Sequence, residues 1–263
     1  MRLYQIDALR GFALFGILMV NIFVFHAPYA HYGPFYYQFE GINSVVVEHV
    51  VFFFAGKFMF MYAFLFGYSF WLQFKKASDK QQFHAYWNKR MLLLAIFGIL
   101  HVLLLSYGDI LLPYAILGLS LPFIIRLSNT KILICFLLIY LIPVYEFVLR
   151  GFIEFPSIFT QPVETLERYI EINGQGSFWE IFLLRIQDYF SLRNEKLILY
   201  IPKELALFLL GILAAKAEWA TKLNKQSGLV FCFCALLVIA SMYFYKSEII
   251  TFFDYQESIW QRI

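Results

Sequence analysis

Seven apolar runs, separated by shorter polar segments, set the plan of this chain: 8–26, 45–73, 91–107, 110–126, 132–150, 197–215 and 228–245. Each approaches or exceeds the roughly 20 residues that a helix needs to cross a bilayer. The run 45–73 is the long one, which implies tilt or an extension past the membrane. Runs three and four are joined only around Gly108 and Asp109, so they predict a tight antiparallel hairpin. The pattern therefore predicts an all-α fold, a polytopic membrane helix bundle of about seven spans. Residues 1–150 form a five-span core, and 197–263 supply two further spans and a short tail.

The segment 151–196 breaks the pattern, with Glu154, Glu164, Arg168, Glu171, Arg185, Asp188 and other charges mixed along it. It is read as an external segment carrying amphipathic helices. Residues 162–172 predict a short helix, and Asn173 to Ser177 predict a break. Ser177 is placed to cap the next helix, with Glu180 three residues on to complete a capping box. Phe178, Ile181, Phe182, Ile186, Tyr189 and Phe190 give that helix an apolar face, suited to lying along the outer membrane surface.

Composition strengthens the membrane reading. Hydrophobic residues are 61% of the chain and charged ones 15%, against about 25% charged in ordinary soluble domains. Mean hydropathy is +0.68. A soluble domain of this length has no interior able to hide so much apolar surface. The net charge of +3 carries no nucleic-acid signature.

Its distribution says more. Lys75, Lys76, Lys80, Lys89 and Arg90 lie in the segment 74–90, Arg126 and Lys131 in 126–131, and Lys216, Lys222 and Lys225 in 216–227. Segments 27–44 and 107–109 carry no Lys or Arg. Seven spans put these two groups on opposite sides, so the N-terminus is expected in the cytoplasm and the C-terminus outside, in the cell membrane. Trp71, Trp87 and Trp219 then mark the inner interface, and Tyr29, Tyr32, Tyr36 and Tyr37 the outer one. The first run reads as an uncleaved helix, because Asp7 and Arg10 stand at its threshold and no small-x-small cleavage site follows.

Polar residues inside apolar helices are costly and usually face a bundle interior or a wet cavity. Asp7 and Arg10 share a face at the inner end of the first span, either as a local ion pair or as the mouth of an anion site. Lys57 stands between apolar residues deep in the second span and needs a carboxylate, with Glu146 and Asp109 the first candidates, or a bound anion. His101 lies within the third span. It either bridges two helices by hydrogen bonds or serves as a general base, since imidazole titrates near neutrality. If the helix continued, Asp109 would share its face about two turns on and orient it only through intermediates. Asn21 and Glu146 fall at similar estimated depth, so a polar layer with Lys57 and His101 is expected. The outer His26, His31, Glu40, Glu48 and His49 show no tight metal spacing, and no metal is expected. Cys135, Cys232 and Cys234 sit in apolar runs and behave as small hydrophobes.

Several of these segments occur in the order of a known family. They are Ile6-Asp7-Ala8-Leu9-Arg10-Gly11-Phe12, Val20-Asn21-Ile22, Gly56-Lys57-Phe58, Phe64-Leu65-Phe66-Gly67 and Gly98-Ile99-Leu100-His101. Gly108-Asp109-Ile110-Leu111, Tyr114-Ala115-Ile116-Leu117-Gly118, Gly176-Ser177-Phe178 and Phe208-Leu209-Leu210-Gly211 complete the set. Over residues 4–215 the chain resembles bacterial YeiB-like membrane proteins, the domain of unknown function numbered 418. That family looks related to the transmembrane acyltransferases that include heparan-α-glucosaminide N-acetyltransferase.

The resemblance implies an acyl-CoA-type donor used as co-substrate from one side, with no tightly bound cofactor. The acceptor is a small molecule or glycan bearing a hydroxyl or amine on the other side. It implies His101 as the catalytic histidine and Asp7 and Arg10 as part of a shared inner-side motif; the residue-level reading adds Lys57 and Asp109 as catalytic candidates and Asn21, with Asp7 and Arg10, on the donor side. The family usually continues through several more helices past the position matching Ile263, so the sequence is expected to be either a natural short form or a truncated one. A partner supplying those helices, or a homo-oligomer, is the corresponding expectation. Two other classes stay open: a transporter or channel-like protein using Lys57, His101 and Glu146 as a relay, and a non-catalytic membrane subunit.

Overall fold

The computed structural model describes residues 4–26, 57–106, 108–150, 166–191 and 201–219, with isolated helical positions at 46, 49–50 and 53–54. Among the described residues every regular element is a helix. In chain order they are α1 Tyr4–His26, α2 Lys57–Lys76, α3 Lys80–Leu104, α4 Leu111–Ile124, α5 Asn129–Arg150, α6 Leu166–Gln175, α7 Phe178–Ser191 and α8 Ile201–Lys216. The predicted run 228–245 lies outside the described residues. One described helix, α3, is both long and apolar enough to cross a membrane, and α4 and the Asn129–Leu141 part of α5 are shorter apolar helices. The all-α class is established on these residues.

The sharpest departure from the sequence reading is the basic segment 74–90, expected as a loop. The chain instead reverses in three residues, 77–79, and α3 begins at Lys80. Asp79 makes this possible. Its carboxylate accepts the otherwise orphaned N–H groups of Gln81 and Gln82, at 2.8 and 3.1 Å. Across the turn, the Lys80 ammonium donates to the carbonyls of Ala77, at 2.7 Å, and Phe74. Lys75 and Lys76 end α2 where cations favour the helix dipole. Lys75, Lys76 and Lys80 therefore mark helix ends, and Lys89 and Arg90 lie within α3, so no extended connection carries them.

Helix directions follow from named contacts. Lys75 at the end of α2 meets Glu218 just past α8 at 3.0 Å, and Trp71 lies under Lys216. The two helices run parallel, although they are far apart in sequence. Their backbones touch. A methyl group on Gly67 would fall 2.0 Å from the Phe208 carbonyl, and one on Gly211 would fall 2.0 Å from that of Phe64. Small residues at such a crossing allow close approach. α1 runs antiparallel to α2: Ile6 packs with Leu65 and Tyr68, and Phe12 meets Phe58 edge-on at 5.1 Å. Lys216 reaches Asn129 at 3.0 Å, so α5 begins where α8 ends.

The core between α2, α3, α4 and α8 is aromatic. Phe66 stacks on Phe208 at 4.6 Å and meets Tyr114 and Trp87 at an angle. Such pairs add about 0.5–1.5 kcal/mol each beyond the area they bury. Trp87 belongs to this core and not to an interface, correcting the expectation for it. It is 2% exposed, and its indole N–H donates to the Gly118 carbonyl at 2.8 Å. Apolar side chains also line the outside: Phe12, Phe15 and Leu18 on α1, and Leu92, Phe97 and Leu100 on α3, are exposed.

α6 and α7 form a separate helical pair that leans on α3. The capping box is present: Glu180 accepts from the Ser177 N–H and hydroxyl, both at 2.8 Å. One arc of α7, with Leu184 and Asp188, buries against Tyr169 and Ile172 of α6. Phe178, Trp179, Leu183 and Phe190 remain exposed.

Candidate functional site

His101 lies one turn before the end of α3, and the terminal turn decides what it meets. Its carbonyl accepts from both Leu105 and Ser106, each at 2.9 Å, closing the helix there. Ser106 Oγ then accepts from the Gly108 N–H at 3.2 Å. This fold-back carries Asp109 to His101, with Nδ1 3.3 Å from Oδ1. The contact is direct, which overturns the expectation that Asp109 acts only through intermediates. That expectation assumed a helix continuing to residue 109, whereas the helix stops at Leu104. The approach is close without the alignment of a hydrogen bond, a looseness common before substrate binds.

The Asp109 side chain is fully buried and that of His101 is 30% exposed. Asp109 also accepts from the Leu111 and Leu112 N–H groups, at 3.1 and 2.7 Å. It thereby satisfies two orphan donors at the start of α4. One carboxylate caps the hairpin and stands against the imidazole. A hydrogen bond from Nδ1–H to it, once aligned, would leave Nε2 as the ring atom for proton transfer.

A second polar group lies deeper. Tyr114 on α4 stacks on Tyr62 of α2 at 5.9 Å, and its hydroxyl donates to the Met59 carbonyl at 3.3 Å. Glu204 in the first turn of α8 is 4% exposed and lies near enough to Tyr114 to act on it electrostatically. Sequence reasoning passed over Glu204, because an acid in a first turn reads as a terminal charge. The usable signal was a carboxylate four residues from Phe208, a core position.

Helices α2, α4 and α8 all start at this end of the bundle. Lys57 precedes Tyr62 by five residues, as Asp109 precedes Tyr114, so the tyrosine stack puts both at comparable height. Asn21 falls farther out. Gly16 packs on Phe58, and Asn21 is five residues beyond it, about 7 Å along the axis. The Glu146 side chain, like His31, Glu40 and Glu48, lies outside the described residues.

The opposite end is basic. Arg10 and Asp7 pair with each other at 3.0 Å. Arg90 donates to Gln73 at 2.6 Å and lies 5.5 Å from the centre of the Trp87 ring. Asp7 and Asn21 are fourteen residues apart on α1, about 21 Å. No small headgroup reaches both, although an extended donor could.

No family model matches this chain, and no solved structure matches it. It is 29% identical over 262 residues to the uncharacterized protein YxaH of Bacillus subtilis (strain 168), in an alignment covering 90% of this chain and 64% of that protein. It is 35% identical over 127 residues to an uncharacterized 39.9 kDa protein in the amylase 3′ region of Bacillus acidopullulyticus, covering 46% of this chain and 34% of that protein. The chain thus spans less than two thirds of the length of each. Both similarities lead to Bacillus proteins whose names state no activity, so a functional reading must stand on the geometry around His101.

Proposed function

We propose that this chain is part of a multi-pass membrane acyltransferase that moves an acyl group from an acyl-CoA-type donor to an extracytoplasmic hydroxyl or amine. The observation that carries this reading is the 3.3 Å approach of buried Asp109 to His101. A carboxylate behind an imidazole fixes its tautomer and stabilises the imidazolium that forms when it accepts a proton. The apolar outer faces of α1 and α3 and the basic opposite end support a seven-span bundle with its N-terminus inside. The resemblance to YeiB-like proteins and their acyltransferase relatives belongs to the same proposal.

In this scheme His101 takes the proton of the acceptor as its oxygen or nitrogen attacks the thioester carbonyl. The carbon–sulfur bond breaks, and the proton passes to the departing thiolate. Lys57, at a height close to Asp109, stabilises the developing oxyanion or a donor phosphate. Arg10, Asp7 and Asn21 line the donor's path along α1.

The test is acyl transfer in vesicles holding the full-length protein, with acetyl-CoA on the inner side and amino sugars or glycans on the outer side. His101→Ala should abolish acceptor acylation and thiol release while the protein still inserts and melts as the wild type does. Acylation that survives His101→Ala sinks the mechanism. Proton-coupled solute flux without thiol release would favour the transporter reading instead.

A further inference from the structure

Among the described residues, a polar contact of informative location joins the α6–α7 pair to the bundle. The Arg185 guanidinium donates through Nη1 to the Leu104 carbonyl at 2.7 Å, across 81 residues. Leu104 is the last residue of α3, and its carbonyl is one of those a helix leaves without an internal partner. The same terminal turn carries His101, and the chain leaving it returns through Ser106 and Gly108 to Asp109. A cation at a helix C-terminus is doubly favoured, by hydrogen bonding and by the dipole.

The rest of α7 holds Arg185 to this task. Asp188, one turn on, is engaged by the Tyr169 hydroxyl. Glu180, more than a turn before, is engaged by Ser177. Leu184, beside it in sequence, is buried against Tyr169 and Ile172, which fixes the helix in rotation.

We infer that Arg185 is a positioning residue: from the outer helix pair it clamps the last turn of α3, and so holds Asp109 against His101. The inference rests on reading those two residues as the reacting pair, but its test does not need activity. Asp109 lies against Nδ1, so the contact favours the His101 tautomer that carries its proton on Nδ1. Removing Arg185 as a clamp releases Asp109 and, with it, that preference.

The experiment is NMR of full-length protein with isotope-labelled histidine rings in nanodiscs, where the two ring nitrogens report the tautomer, with His101→Gln used to assign the signal. Asp109→Ala should lose the preference for a proton on Nδ1. Arg185→Ala should lose it likewise, with melting of the helix bundle little changed. Arg185→Lys, which keeps a donor and a charge, should restore most of it. A tautomer unchanged in Arg185→Ala overturns the clamp. So does an Arg185→Lys variant that behaves as Arg185→Ala while the bundle stays folded. If Arg185→Ala shifts the tautomer but the wild type transfers no acyl group, the clamp stands and the acyltransferase reading falls. If transfer occurs and Arg185→Ala leaves both rate and tautomer intact, the reverse holds.

Discussion

Replacing Asp109 separates two roles that share one carboxylate. Asp109→Asn keeps one acceptor oxygen for the start of α4, where the carboxylate offers two, and removes the charge beside His101. It should lose at least about 100-fold in transfer while costing less than about 1 kcal/mol in stability. Asp109→Ala also loses the cap and should cost about 1–2 kcal/mol. Rates paired with unfolding curves check both. Asp188 offers a pH test outside the spans. Burial raises its carboxyl from 3.8 to about 6, with the Tyr169 hydroxyl opposing that shift. Between those values the folded pair binds more protons than the unfolded chain, so its packing weakens as pH rises through the window. Protection factors for hydrogen exchange in α6 and α7, which divide out the base catalysis of exchange itself, should be higher at pH 5 than at pH 7, and Asp188→Asn should flatten the difference. Sequence made His101 and Asp109 visible as polar interruptions of apolar runs. Their contact was not visible, because it depends on where α3 stops, and the terminal Leu104-Leu105 carries no stop signal of its own.

At the level of helices, starts were easier to read than stops. Ser177 and Glu180 declared the start of α7, and the reciprocal bonds are present. The cap at Asp79 was overlooked because the surrounding lysines drew attention to sidedness. Packing between helices was least legible, since which faces meet depends on partners remote in sequence. Gly211 illustrates this. An added methyl there would strike backbone atoms of Phe64 and Tyr68, which cannot swing aside as a side chain can. Gly211→Ala should therefore destabilise by about 1–3 kcal/mol, and Gly211→Leu by more. Gly11→Ala, with nothing within 4 Å of the added atom, should be neutral or gain up to about 1 kcal/mol. Denaturant titration of the three variants in mixed micelles orders them.

For the whole molecule, the contacts place the start of α1 and the turns at 77–79 and 125–128 at one end. The His101 hairpin lies at the other. If the bundle spans the membrane as proposed, a cysteine at position 80 or 131 in intact cells should be labelled only after permeabilisation. One at position 108 should be labelled from outside. The reverse pattern would overturn the orientation. The all-α class and the alternation of ends were legible because apolar run length and basic residues report them directly. The grouping of α2 with α8 was not, because nothing in either run names the other.

That grouping has a consequence in time. The face of α2 that closes on α8 is complete long before its partner exists, since 143 residues separate Lys75 from Glu218. At 5–20 residues per second the ribosome needs roughly 7 to 30 seconds to cover that distance. Throughout that interval the small-residue groove around Gly67 and the buried Ser69 must be sheltered by lipid, by the insertion machinery or by earlier helices. The bundle thus closes late in synthesis, and its last described helix completes a surface that its second one opened.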